Sequence, residues 1–165
     1  MSFDFKIVEK ANLTASDKKL FGKFLKLQGK VHPDVNGSFD KKASRCLFVC
    51  FAFEKEKPVA IGGIKKPTKS DFSKMCANLP EKTKLFDWEL GYMYTLPEYG
   101  GNGIASDLVK TLLNKYGTGN LMASTELTSQ NRMQGILTKN GFKKYGRTWK
   151  SKNNLDLALL LKLED

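Results

Sequence analysis

The residues best suited to do chemistry lie in one run: Glu89-Leu90-Gly91-Tyr92-Met93-Tyr94-Thr95-Leu96-Pro97-Glu98-Tyr99-Gly100-Gly101-Asn102-Gly103-Ile104-Ala105. A strand-like segment ends at Pro97, glycines stand at 100, 101 and 103, and apolar residues then recur at helical spacing. Glycine adopts positive φ and lets a ligand approach the main chain. The first turn of a helix adds unpaired N–H groups and the positive end of its dipole. Together they make a cradle for an anion such as phosphate or pyrophosphate. A tight strand-to-helix connection is the plainer reading of the same glycines. The turn is not a Walker loop, because no Gly-Lys-Ser/Thr follows. Nor is it the dinucleotide fingerprint, because Ala105 and Leu108 stand where the later glycine belongs.

A second segment, Asn131-Arg132-Met133-Gln134-Gly135-Ile136-Leu137-Thr138-Lys139-Asn140-Gly141-Phe142, reads as a helix with an early asparagine. It ends at a glycine C-cap and a phenylalanine that opens the next strand. With both segments in this order, the sequence resembles the GNAT superfamily of N-acetyltransferases. Leu96 through Ala105 is similar to that family's acetyl-CoA pyrophosphate loop, Arg/Gln-x-x-Gly-x-Gly/Ala, and Asn131 through Phe142 is similar to its second cofactor motif. The resemblance is firm over residues 86–148 and rests on element order before that.

The resemblance implies an acetyl-CoA-dependent enzyme that passes an acetyl or acyl group to a primary amine of a small molecule, peptide or protein, by direct attack on the thioester. It implies that the loop opened by Gly100 binds the pyrophosphate through the backbone amides of Gly101, Asn102, Gly103, Ile104 and Ala105. Main-chain groups near Met93 and Thr95 would pair with the pantetheine arm and the thioester carbonyl as an added strand does. Asn131 would contact the pantetheine region. Such chemistry needs an uncharged amine held against the carbonyl, a base for the ammonium proton and donors for the oxyanion. Glu89 stands where several family members carry a catalytic glutamate, and strict alternation puts it on one face with Asp87, Gly91, Met93 and Thr95. A solvated carboxylate paired with some of the many lysines is the alternative. Two departures stand out. Gly100 replaces the Arg or Gln that usually opens the loop, leaving Lys65 or Lys66 to compensate. Leu137 falls where many members have a tyrosine that protonates the departing thiolate, leaving Tyr145 or water to substitute, or the thiolate to depart unassisted. His32, the sole histidine, is a second candidate base in a polar loop. Trp88, Tyr92, Tyr94 and Tyr99 would line an acceptor pocket or pack the core.

The elements that must position these residues appear as periodicities. Phe3–Glu9 alternates as a strand, Thr14 or Ser16 caps a helix reaching about Lys30, and Cys46–Phe53 with Val59–Ile64 forms a hairpin. Residues 65–84 form a long excursion, and such excursions are often functional. Trp88–Thr95 is a strand and about Gly103–Tyr116 a helix. Leu121–Thr125 is a strand, Gln130–Asn140 a helix, Phe142–Thr148 a strand, and leucines alternating from Leu155 to Leu163 a closing strand. This order predicts an α/β (α+β mixed) fold with a GNAT-like central mixed β-sheet of about seven strands flanked by helices, in a single domain over residues 1–165.

Composition sets the outer bounds. Lys+Arg 28 against Asp+Glu 17 gives a net charge of +11, which favours a phosphate-bearing cofactor, nucleic acid or an acidic protein as partner. Only Arg45, Arg132 and Arg147 are arginine, which argues against base readout. Nucleic-acid binding or modification on the same fold remains an alternative. So does a catalytically degenerate acyl-CoA-binding module, motivated by Gly100 and Leu137. Three cysteines, one histidine and no Cys-x-x-Cys predict no metal site, and the spacing of Cys46 and Cys50 predicts one shared strand face. No apolar stretch is long enough to span a bilayer, and Met1-Ser2-Phe3-Asp4 lacks a secretory pattern. The expectation is therefore a soluble cytoplasmic protein, monomer or homodimer, with acetyl-CoA and an amine as its partners.

Overall fold

The computed structural model describes residues 1–164. The strands are β1 (Asp4–Glu9), β2 (Cys46–Glu54), β3 (Lys57–Lys65), β4 (Glu89–Thr95), β5 (Leu121–Glu126), β6 (Lys143–Lys150) and β7 (Asp156–Lys162). The α-helices are α1 (Ala15–Gln28), α2 (Ile104–Tyr116) and α3 (Met133–Lys139). The element order matches the periodicities of the sequence. The seven strands lie in the order β1-β2-β3-β4-β5-β7-β6. β1, β2 and β3 pair antiparallel, β4 and β5 pair parallel, and β7 runs antiparallel to both β5 and β6. This is a mixed α/β fold with a seven-stranded sheet flanked by helices. Within it the chain packs as two compact units.

One unit comprises Met1–Lys65 with Gly91–Lys115. Its first helix begins at a capping box: the Asp17 N–H donates to Thr14 Oγ1 and the Thr14 N–H to Asp17 Oδ2. It ends at Gly29 in the left-handed conformation, φ +75°. The apolar face of α1 buries Phe21, Phe24 and Leu25 against Val8, Cys46, Val49, Phe51 and Ile61. The shared face expected for Cys46 and Cys50 does not form. The β2–β3 register shifts between Cys46 and Phe48, so alternation restarts: Cys46 joins Val49 and Phe51 in the α1-facing cluster, and Cys50 turns to the other side.

The other unit comprises Lys66–Leu90 and the chain from Tyr116 onward. Its core sets Phe72, Ala77 and Phe86 from the long excursion against Met122, Leu159 and Leu161, with Phe72 and Phe86 stacked at 5.4 Å. The excursion holds short 3-10 turns at Lys69–Phe72 and Pro80–Leu85. Arg147 fastens it: Nε donates to the Cys76 carbonyl at 2.9 Å, a guanidinium N–H to the Lys74 carbonyl, and the main-chain N–H to the Ala77 carbonyl at 3.1 Å.

Candidate active site

The glycine-rich loop is built from its anchors. The Leu96 N–H donates to the Val59 carbonyl at 2.9 Å, tying the end of β4 to β3. A 3-10 turn over Pro97–Tyr99 follows. Tyr99 is buried: its hydroxyl donates to Glu54 Oε1 at 3.1 Å, its ring meets Phe3 edge-on, and the Lys57 ammonium lies over it. Asn102 Nδ2 donates back to the Tyr99 carbonyl at 3.0 Å. Beyond these anchors the loop is exposed. Gly101 and Gly103 hold φ of +81° and +75°, and apart from their own chain neighbours no described protein atom lies within 4 Å of where a side chain on either would begin. The first intrahelical bond of α2 runs from the Asp107 N–H to the Gly103 carbonyl, so the amides of Ile104, Ala105 and Ser106 precede the ladder. An open backbone concavity at a helix N-terminus is what an anion needs. Asp107, exposed in that first turn, complements the helix dipole and opposes an anion, which leaves the holding to main-chain amides.

β4 leads into this loop with a kink. Tyr92 sits at φ +58°, a conformation that side-chain-bearing residues rarely adopt. The kink interrupts the strict alternation expected to carry the face of Glu89 on to Met93 and Thr95. The Tyr92 and Tyr94 rings meet Phe21 and Phe24 of α1 edge-on. The Met93 side chain packs over Gly62, beside Leu112 of α2. Two tyrosines thus pack on the first helix, and the Tyr99 ring anchors the loop. Sequence reasoning missed Gln28, whose Nε2 donates to the Met93 carbonyl at 2.8 Å. That contact joins positions far apart in the chain and leaves no local signal.

In the other unit, Glu89 is buried at 6 % exposure, opposite Met122 of β5, and its Oε1 accepts the Thr68 N–H at 2.7 Å. Asn131 holds the corner between β5 and α3. Its Nδ2 donates to Thr125 Oγ1 and to the Glu126 carbonyl, and its Oδ1 accepts the Met133 N–H. Leu137 is buried in α3, and Tyr145 packs in the core with Lys82 above its ring. Lys65 lies over the Tyr92 ring, and His32 is exposed. Burial pushes the Cys46 and Cys50 thiols up to about 12, against the opposing Lys65 charge and Lys6 N–H, so neither is a nucleophile at neutral pH. Among the described residues no cluster of His, Cys, Asp or Glu could hold a metal ion, and no helix is long and apolar enough to cross a membrane.

The acetyltransferase (GNAT) family profile matches residues 19–142. The chain belongs to the GNAT family. Solved GNAT-type structures share its fold from end to end. Escherichia coli ElaA is 11% identical over 98% of this chain and 99% of its own, with a TM-score of 0.65. Arabidopsis thaliana Naa50, in complex with the bisubstrate analogue CoA-Ac-MVNAL, is 12% identical over 96% of this chain and 97% of its own, also at 0.65. The ribosomal-protein-S18-alanine N-acetyltransferase of E. coli is 13% identical over 98% and 94%, at 0.60. At such identities the likeness is one of fold. No curated protein matches the chain in sequence. The backbone cradle at 100–105 fits the phosphate-bearing half of the coenzyme expected for a GNAT protein, through main-chain groups and without the usual loop-opening Arg or Gln.

Proposed function

We propose that the protein is an acyl-CoA-dependent N-acyltransferase acting on a primary amine, working as one catalytic domain. The observation that carries this reading is the cradle at the start of α2: two positive-φ glycines with open space before them, in a chain of the GNAT family. In this reading the amides of Gly101, Asn102, Gly103, Ile104 and Ala105 hold the pyrophosphate. The main chain at Met93 and Thr95 receives the pantetheine arm. Asn131, tied to Thr125 and Glu126, keeps the β5–α3 corner in shape, and the family resemblance assigns it a contact with the pantetheine region. A bound acyl-coenzyme supplies an activated thioester carbonyl. Glu89 takes the proton from the ammonium, and the Thr68 N–H keeps its carboxylate oriented. With Leu137 in the place of a tyrosine, no side chain is assigned to protonate the thiolate.

Calorimetric titration with acetyl-CoA and with free CoA tests the reading, with micromolar binding of both expected. Gly103→Val, checked for folding by circular dichroism, should lose that binding, because its side chain fills the space where the phosphates approach. Normal affinity in the folded variant would refute the loop assignment. No binding by the wild-type chain would refute the coenzyme itself.

A further inference from the structure

The Gln28 amide is half used. Its Nε2 donates to the Met93 carbonyl, while Oε1 is sealed from solvent and accepts no hydrogen bond among the described residues. The assignment of the two amide atoms is not interchangeable: turning the amide over would set oxygen against the Met93 carbonyl oxygen, and neither can donate. The orphan atom is therefore an acceptor. A buried acceptor without a donor is costly, and native structures seldom leave one so unless another molecule completes it. Gln28 is also well held in place. It is the last residue of α1, stopped by Gly29 at φ +75°, on a helix locked into the core through Phe21, Phe24 and Leu25. The residue as a whole is only partly buried and so borders accessible space.

The position of this amide decides what the donor is. It extends from a β4 carbonyl beside the Tyr92 kink. The β4-to-β3 bond is made by the Leu96 N–H, so by alternation the Met93 and Thr95 main-chain groups turn away from β3. Gln28 Oε1 sits one amide's width from the Met93 carbonyl, next to main-chain groups of the kind along which a strand-like ligand presents its N–H groups. A neutral secondary amide suits a neutral carbonyl there, whereas an ammonium ion suits a carboxylate.

We infer that Gln28 Oε1 accepts an amide N–H from the pantetheine arm of the coenzyme, making Gln28 a binding residue that reads the arm. This rests on the proposed acyl-CoA function. The test titrates wild type, Gln28→Leu and the volume-matched Gln28→Met with CoA and with adenosine 3′,5′-bisphosphate, which carries the nucleotide but no arm. Both variants should bind CoA about five- to tenfold more weakly, the loss of one hydrogen bond. Both should bind the bisphosphate within about twofold of wild type, which also reports that the loop and fold are intact. Unchanged or tighter CoA binding overturns the inference and leaves the acyl-CoA function standing. Equal losses for both ligands mean a structural role and overturn it too. If wild-type protein binds neither ligand, the functional reading falls and takes this inference with it.

Discussion

Among the polar side chains that folding withdraws from water, most have partners that explain their burial. Lys42 Nζ lies 3.1 Å from Asp34 Oδ1, and Thr125 Oγ1 accepts from Asn131. Burial alone would raise the Asp34 carboxyl, but the Lys41 N–H, Lys42 and Arg45 outweigh it and hold it below the usual range. Glu89 is buried as well, and its Oε1 accepts the Thr68 main-chain N–H. Glu89→Gln keeps an oxygen that can accept from Thr68 while removing the charge and the basicity. If Glu89 is the base, turnover against a panel of primary amines, read as thiol release, should fall about 100-fold or more. Acetyl-CoA affinity should stay within about twofold. Unchanged turnover would remove Glu89 from the chemistry and leave it as the residue that positions the Lys66–Thr68 corner.

At the scale of elements, the long excursion from Lys66 to Trp88 illustrates how a segment with little periodicity becomes ordered. Its charges and prolines hide the fact that Phe72, Ala77, Leu79 and Phe86 bury against strands far away in sequence. Gly146 of β6 makes the closest approach: at φ +73°, a side chain there would run into the Ala77 carbonyl and crowd Leu79. Gly146→Ala therefore combines left-handed backbone strain with a main-chain clash and should cost about 2 kcal/mol or more. A thermal midpoint lowered by roughly 4–8 °C would register it, and amide exchange should quicken across residues 70–80 first. An unshifted midpoint would mean that the excursion is not fastened at this point. The same lesson covers the site. Local periodicity revealed the strands, the helices and the glycine loop because those signals repeat over a few residues. The β2 register shift, the left-handed Tyr92 and the Gln28–Met93 bond depend on partners distant in the chain, and the residue types involved carry no local mark of them.

At the scale of the whole molecule, the strand order was the least legible feature, because β7 inserts between β5 and β6 and β4 pairs parallel with β5. Neither arrangement follows from neighbours in sequence. Charge, by contrast, was legible as an excess of +11 but not as a pattern. The structure supplies one: Lys19, Lys23 and Lys26 are exposed at i, i+4 and i+7 along α1, with Lys30 exposed just past its cap, and the single acid of the helix, Asp17, is engaged in the capping box. Three lysines along one helix face attract phosphates by charge alone, without the arginine forks that read bases. Mixed-sequence single-stranded RNA should therefore bind weakly and without sequence preference. In fluorescence anisotropy its log affinity should fall against log salt with a slope near −2, for three phosphates at roughly 0.7 each. Exchanging Lys19, Lys23 and Lys26 together for glutamate should remove most of that binding while leaving acetyl-CoA affinity unchanged, because the cradle proposed for the coenzyme is made of main-chain amides at the start of a different helix. Binding that persists at high salt or discriminates strongly between sequences would instead make nucleic acid a specific partner and call for a recognition surface beyond this lysine face.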